Sequence, residues 1–486
     1  MSFNSLAFLI YLPVVLLIYW LLPFRFRVYF LLVASYFFYA FLNPWLIFLI
    51  LATTLMTYGG SLGIEKTENP KKKKAWMVLT VTACLLLLFV FKYLDFAITS
   101  VVSLANLFHA NWSDPALAII LPIGISFYTF QTLSYVIDVY HGKFAAERNI
   151  FYYALYVSYF PQLVAGPIER PEELLPQLKT KQTLSFENGS IGLQYLISGF
   201  VKKVVVADFL ALAVDPVYGS LDTASGASIL VATLLFFFQI YADFSGYSDI
   251  AIGSARLMGI KLTDNFDKPY LACSVRDFWK RWHITLSRWL TDYLYIPLGG
   301  NRKGKPRQLL NVLIVFTLSG LWHGANWTFV LWGVCHGLAV GFEDLVGKPF
   351  ADFRAKHHWN EKGYHLFRIL TTFVFVTLTW IFFRSQSVEE AFLCFEKIFT
   401  SFLTGDGFAF FDNRMMIPAT LGAIVLVLIL PYLPRLAMVK DDQGKIDFSK
   451  LSKVSLIYVT LIVTVTVSWL YLLSTKGESG FIYFQF

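Results

Sequence analysis

The sequence predicts an all-α polytopic membrane protein. Three observations carry that prediction. Hydrophobic residues make up 57% of the 486 positions and charged residues only 15%, too little charge to cover a water-soluble protein of this length. Apolar stretches of about 20 residues, the length a helix needs to cross a bilayer, recur along the chain. The basic residues between them alternate in density, as the positive-inside rule requires. So hydrophobic a chain is also not a disordered one.

Candidate spans lie near 5–22, 26–42, 44–63, 76–97, 117–140, 149–164, 187–216, 227–257, 308–322, 326–346, 366–384, 415–433 and 453–474. They amount to about 11–13 membrane helices, some of them re-entrant. The first follows Met1–Ser5, which holds no basic residue, and no small-residue cleavage site comes after it. It reads as a retained span rather than a signal peptide. The stretches at 149–164 and 308–322 read as segments that enter the membrane without crossing cleanly.

An outward N-terminus makes seven loops cytoplasmic, around Arg25/Arg27, Lys66–Lys74, Lys143/Arg148, Arg170–Lys181, Lys261–Arg307, Lys348–Arg368 and Arg435–Lys453. They hold 32 of the 40 Lys and Arg. The outer segments hold four, Arg384, Lys397, Arg414 and Lys476. Both termini then lie outside. The formal charge of +8 reflects cytoplasmic loops, since no nucleic-acid-binding motif accompanies it and no such partner is expected.

The chain reads as one domain, 1–486, with a chemical core at 241–346 and an outer insertion at 385–414. In the insertion Ala391, Phe392, Phe395, Ile398 and Phe399 recur at helical spacing, with Glu389, Glu390 and Glu396 between them. That pattern is an amphipathic helix on the membrane surface or against a partner. The aromatic tail 481–486 would pack on the protein's own helices or add to a partner's edge. Cys84, Cys273, Cys335 and Cys394 form neither a disulfide framework nor a CxxC metal spacing, and read as packing residues.

Polar density rises between residues 241 and 307. Asp243 and Asp249 stand among hydroxyls within a hydrophobic span. An acid at membrane depth is costly and faces a partner or a cavity. Asp243 is therefore either part of a hydrogen-bonded cluster joining helices or a substrate contact. Residues 262–308 mix Arg276, Lys280, Arg281 and Arg288 with Phe278, Trp279, Trp282 and Trp289. Such a segment is an interfacial anchor with snorkelling side chains, or a wall that binds an anionic donor.

His323 falls in Ser319–Trp327, between two apolar helices. A histidine at that depth must be satisfied and is a functional candidate by default. It is also the usual general base near neutral pH. Gly320, Gly324 and Ala325 leave room beside it for a substrate or another backbone. Trp322, Asn326 and Trp327 share the stretch. His283 either caps an interfacial helix or takes part in the chemistry. His336 lies 13 residues after His323, about 220° further round an ideal helix, and reads as packing. The sequence has no metal-ligand spacing, P-loop, GxSxG or dinucleotide fingerprint. At 160–170, two prolines and a glycine break the chain as it meets the cytoplasm, as a helix terminator or a re-entrant turn.

Taken together these stretches resemble the membrane-bound O-acyltransferase family, in its bacterial polysaccharide O-acetyltransferase branch. Teichoic acid D-alanyl transfer proteins resemble it more distantly. The resemblance covers nearly the whole chain. It runs through LPIGISFYTFQTLSYVIDVY, FPQLVAGPIER, YADFSGYSDIAIG, NFDKPY, RDFWKRWHITLSRWL, YIPLGGNRKG and SGLWHGANWTFVLWGVCHG. It implies helices around a central funnel in a bacterial cytoplasmic membrane. It places the family's histidine on His323 and its second polar position on His283. It also implies a secreted or membrane-anchored acetyltransferase partner of the SGNH kind, or polysaccharide assembly proteins.

The expected activity is O-acyl transfer to a surface polysaccharide. No cofactor is expected to be held permanently; acetyl-CoA or another acyl thioester would be the donor. His323 would be the base and His283 would orient the acceptor or stabilise charge. Arg276, Lys280 and Arg281 would draw in a phosphorylated donor. Trp282, Trp322 and Trp327 would exclude water. Two rivals remain. A transporter would use Asp243 and Asp249 in a solute path, although the chain shows no related halves. A scaffold would only recruit a secreted enzyme.

Overall fold

A computed structural model describes residues 1–41, 43–113, 115, 117, 119, 121–356, 360–407, 415–432 and 457–468. Among these, helix follows helix, and the only β pairing is two isolated bridges, Ala224 with Asp406 and Phe266 with Trp282. The chain divides into two compact units. One holds residues 1–193 and 251–263, the other residues 194–250 and 264–486.

The first unit runs α1 Leu6–Leu21, α2 Phe24–Ala40, α3 Leu46–Lys66 and α4 Pro70–Leu88. A π turn, Phe89–Tyr93, joins α4 to α5, Leu94–Leu107. Then come α6 Ile125–Tyr140, α7 Ile150–Ser158, α8 Phe160–Leu163, α9 Pro171–Lys179 and the start of α10, Phe186–Phe200. Local chemistry sets the helix starts. Ser5 Oγ accepts from the Phe8 N–H. Asn69 Oδ1 accepts from the N–H groups of Lys71 and Lys72. Pro70 opens α4, where a missing N–H removes no intrahelical bond.

The stretch 149–164 does not form one span: it breaks into α7 and α8 at Tyr159. A buried break leaves backbone groups that need partners. The Tyr156 carbonyl finds two, accepting from Gln131 Nε2 and Gln162 Nε2, both at 2.7 Å. Glu169, beyond the break, accepts from the N–H and hydroxyl of Thr263.

In the second unit α10 passes through a seven-residue π segment, Val201–Ala207, into α11, Asp208–Tyr218. Next come α12 Gly226–Leu257 (its last turns in the first unit), α13 Val275–Arg281 and α14 Ile284–Leu290. After a π turn at Thr291–Tyr295 follow α15 Lys305–His323, α16 Trp327–Lys356, α17 Glu361–Arg384 and α18 Val388–Thr400. The described chain ends with α19 Met416–Ile429 and α20 Ile457–Ser468.

Glycines let two helix pairs close up. A Cβ on Gly199 would lie 2.7 Å from the Gly246 carbonyl oxygen, which brings α10 against α12. Cβ atoms on Gly320 and Gly333 would lie 2.1 Å and 2.3 Å from the carbonyls of Phe329 and Phe316. No larger residue fits at that α15–α16 approach.

Five described helices are long and apolar enough to cross a membrane: α3, the continuous Pro70–Leu107, α12, Trp327–Gly347 within α16, and α17. Within the described residues, the other expected spans hold helices that are shorter, broken or more polar. The 16 residues of α1 rise only about 24 Å, against a hydrocarbon core of about 30 Å. α4, the π turn and α5 form one continuous 38-residue helix, and 76–97 is its middle.

The amphipathic helix expected in the insertion is α18. Ser387 caps it, accepting from the Glu390 N–H, and Ala391 and Cys394 are buried while Phe392 and Phe399 are exposed. Lys397 donates to the carbonyls of Leu221, Asp222 and Ala224. Residues 408–414 of the insertion, the basic loop 435–453 and the aromatic tail 481–486 lie outside the described residues.

Candidate active site

The polar-aromatic segment 262–308 does not form one helix. It forms α13 and α14, parted at Trp282–His283 by backbone geometry. His283 takes left-handed torsions, φ 45° and ψ 54°, which a side chain other than glycine adopts rarely. The Ile284 N–H donates to the Asn265 carbonyl at 3.0 Å, and Phe266 bridges Trp282. The break turns the His283 imidazole inward, where it is fully buried.

His283 Nδ1 lies 3.2 Å from Asn265 Oδ1, which also accepts from the Thr285 N–H at 3.2 Å and the Thr285 hydroxyl at 3.0 Å. A carboxamide oxygen only accepts, so Nδ1 carries the proton and Nε2 is the acceptor nitrogen. Burial lowers the imidazole from 6.5 to about 3. The ring is therefore neutral throughout the physiological range.

His323 is the last residue of α15 and is 4% exposed. Its ring centroid is 6.3 Å from that of His283. The two histidines, 40 positions apart in sequence, thus share one site. The remaining walls are aromatic. Trp322, Trp332 and Phe383 lie 5.0, 5.2 and 5.6 Å from His323. Phe244 meets His283 at 4.7 Å. Trp282 is fully buried, stacked on Phe278 and 5.3 Å from Trp380. A low-dielectric shell of this kind strengthens any electrostatic contact within it.

The other expected contacts divide. Arg276 and Lys280 line a cavity of about 310 Å³, whose walls include Leu290, Val312, Phe316 and Ser319. Ser319 stands one turn before His323 on α15. Glu343 accepts from the N–H groups of Val275 and Arg276 at 2.6 and 3.1 Å, which seats the start of α13 on α16. Asp344 holds the Arg276 guanidinium and Gln308. Arg281 turns to Asp277, 3.0 Å away, and to Asp267. It is not among the cavity's lining residues. Asn326 donates to the Gln386 carbonyl and accepts from the Thr328 N–H, which starts α16. Trp327 is half exposed. Asp243 pairs with Lys203 at 2.6 Å; Asp208 holds the same ammonium at 2.8 Å. Asp249 pairs with Lys202 at 2.7 Å.

His336 is buried, with Trp279 Nε1 donating to its Nδ1 and its Nε2 against Thr379 Oγ1. The chain turns at Gly324–Asn326, so His336 lies on a different helix from His323 and the separation of about 220° does not apply. Its packing role stands on these bonds instead. Sequence reasoning missed Asn265, Phe244, Trp332, Trp380 and Phe383. Asn265 was within reach as a polar residue in NFDKPY, but nothing local ties it to His283. Among the described residues no group of three or more His, Cys, Asp or Glu is placed to hold a metal ion.

The His283 environment sets a pH dependence. Its folded value lies below the 6.5 of an ordinary histidine, so between pH 6.5 and about 3 the unfolded chain binds a proton that the folded chain does not. The stabilising difference is complete above pH 6.5. It is lost as pH falls, by about 1.4 kcal/mol per unit within that window. Thermal unfolding of detergent-solubilised protein at pH 7, 6 and 5 should show His283→Gln losing stability less steeply than the parent. Parallel curves would contradict the assignment.

Known proteins resemble this chain along most of its length. The profile of the membrane-bound O-acyltransferase family matches residues 145–386. The chain is 35% identical to the probable alginate O-acetylase of Pseudomonas putida, over the full length of both. It is 38% identical to the peptidoglycan O-acetyltransferase of Helicobacter pylori, over 74% of this chain and 71% of the relative. A teichoic acid D-alanyltransferase of Streptococcus thermophilus is 27% identical over 46% of this chain and 56% of the relative. A buried histidine pair in a multi-helix membrane protein and full-length similarity to acyl-transfer enzymes lead to one conclusion: this chain belongs to the membrane-bound O-acyltransferase family and is an acyltransferase.

Proposed function

We propose that the protein moves an acetyl group from a cytoplasmic thioester donor, such as acetyl-CoA, to hydroxyls of a polysaccharide outside the bacterial cytoplasmic membrane. Transfer is direct or passes through a secreted acetyltransferase partner of the SGNH kind. The observation that carries this reading is the 6.3 Å approach of two buried histidines, with a basic-ended cavity reaching the turn before one of them.

In this reading His323 removes the acceptor hydroxyl proton as the oxygen attacks the thioester carbonyl. The C–S bond then breaks, and the departing thiolate takes the proton back from His323. His283, neutral and with Nε2 as acceptor, receives a hydrogen bond from a neighbouring hydroxyl of the acceptor sugar and so orients the attacking one. The tautomer favours orientation over stabilising an oxyanion, which needs a donor. Arg276 and Lys280 attract the donor's phosphates, while the apolar cavity wall accommodates its uncharged arm. Trp282 and Trp322 keep water from the thioester. Asn326 and Arg281 hold local structure, and Asp243 belongs to an ion cluster.

Purified protein given acetyl-CoA and a soluble polysaccharide should release CoA and yield O-acetyl ester. Arg276→Ala should raise the KM for acetyl-CoA about tenfold or more with little change in kcat, as expected for a ground-state phosphate contact. Solute uptake into vesicles without donor consumption would favour a transporter instead.

A further inference from the structure

Away from the histidine pair, one nucleophile stands against a base. Cys273 lies two residues before α13 and is partly exposed. Its sulfur is 3.4 Å from His365 Nδ1 and 3.7 Å from Nε2, near the start of α17. The Cys273 N–H donates to Asp277 Oδ2 at 3.0 Å, and Asp277 holds Arg281. The thiol is thus carried on a fixed backbone.

The other cysteines are not placed this way. Cys84 and Cys394 are buried, and burial pushes the Cys394 thiol up to about 12. Cys335 belongs to a membrane-spanning helix. Cys273 also precedes the cavity residue Arg276 by three positions. The charge pattern of the sequence puts both of its flanking segments, 261–307 and 348–368, on the cytoplasmic side. A partly exposed thiol next to an imidazole is a setting that makes cysteine nucleophilic.

We propose that Cys273 captures the acyl group from the donor as a thioester, with His365 as its base. The thiol proton passes to His365 as the sulfur attacks the donor carbonyl. The bond from that carbonyl carbon to the donor sulfur breaks, and the departing thiolate takes the proton from His365. One thioester replaces another, so no oxidant or energy source is needed and the acyl group keeps its transfer potential. The step rests on the reading that the donor is a thioester.

The probe is [1-14C]acetyl-CoA with the purified full-length protein in detergent. The expected result is protein-bound label that neutral hydroxylamine releases and that maps to the Cys273 peptide. Cys273→Ser should lose this label at least tenfold, and Cys394→Ser should keep it. His365→Asn should slow labelling at pH 7 about 100-fold or more. It should recover at alkaline pH, where solvent base takes the place of the imidazole. A monodisperse size-exclusion profile for each variant, and the rate of iodoacetamide capture at Cys273, separate lost chemistry from lost folding. Three outcomes overturn the proposal: no hydroxylamine-labile label, label at another residue, or parental labelling in His365→Asn. CoA release measured in the same sample tells the failures apart. Turnover without label removes only Cys273 capture; neither turnover nor label removes the thioester-donor reading too.

Discussion

Replacing His323 with alanine should lower acetyl transfer by about 10²–10⁴-fold, the usual contribution of a positioned general base. The effect should fall on kcat, because the imidazole acts on a proton moving in the transition state rather than on donor affinity. Packing must be separated from chemistry. His323 is 4% exposed and in ring contact with Trp322, Trp332 and Phe383. The alanine variant therefore opens a cavity as well as removing a base. His323→Gln keeps most of the volume and a hydrogen-bonding end but cannot take up the proton. Both variants should lose transfer alike while membrane abundance stays near the parent's, by quantitative immunoblot. A glutamine variant that retains transfer within tenfold would end the assignment of His323 as base.

Lys203→Met should cost about 3–5 kcal/mol, the penalty of leaving buried charge without its counter-ion. Lys203 Nζ lies 2.8 Å from Asp208 and 2.6 Å from Asp243, with all three side chains less than 10% exposed. Removing the ammonium takes the shared cation from two carboxylates buried in one place. That loss is a large part of the roughly 5–15 kcal/mol holding a typical protein together. The expected readout is a sharply lower unfolding temperature in detergent. A triple variant, Lys203→Met with Asp208→Asn and Asp243→Asn, removes all the charge and should recover much of the loss. A single-variant loss below about 1 kcal/mol would show that the cluster is hydrated. Asp243→Asn also decides between the two sequence readings of that acid. Loss of stability marks a helix-joining cluster; lost transfer at unchanged stability marks a substrate contact.

The same stretch shows how far local sequence carries. Two acids inside an apolar span require partners, and Asp243 and Asp249 have them. The partners, Lys203 and Lys202, lie 40 and 47 positions earlier. The π segment Val201–Ala207 carries both lysines, and the approach of Gly199 to Gly246 brings their helix against α12. Neither feature has a hydrophobic period that marks it.

His323 was legible because an imidazole between apolar helices is costly and therefore conspicuous. His283 could be read either way, since its burial arises from a left-handed turn and a bond to Asn265, 18 positions back. The basic residues looked alike in sequence. Only packing separates Arg276 and Lys280, in the cavity wall, from Arg281, turned to Asp277. Cys273 read as packing because its partner lies 92 positions away.

The sequence by itself determined the bilayer as solvent and the helical class. Those follow from composition, from spacing along one helix and from the cost of polar groups in hydrocarbon, all of which are local or additive. The tertiary structure alone decided that the two histidines meet, which tautomer His283 takes, and which aromatics enclose them. Those depend on close approach between helices far apart in the chain, set by glycine contacts and ion pairs that no periodicity records.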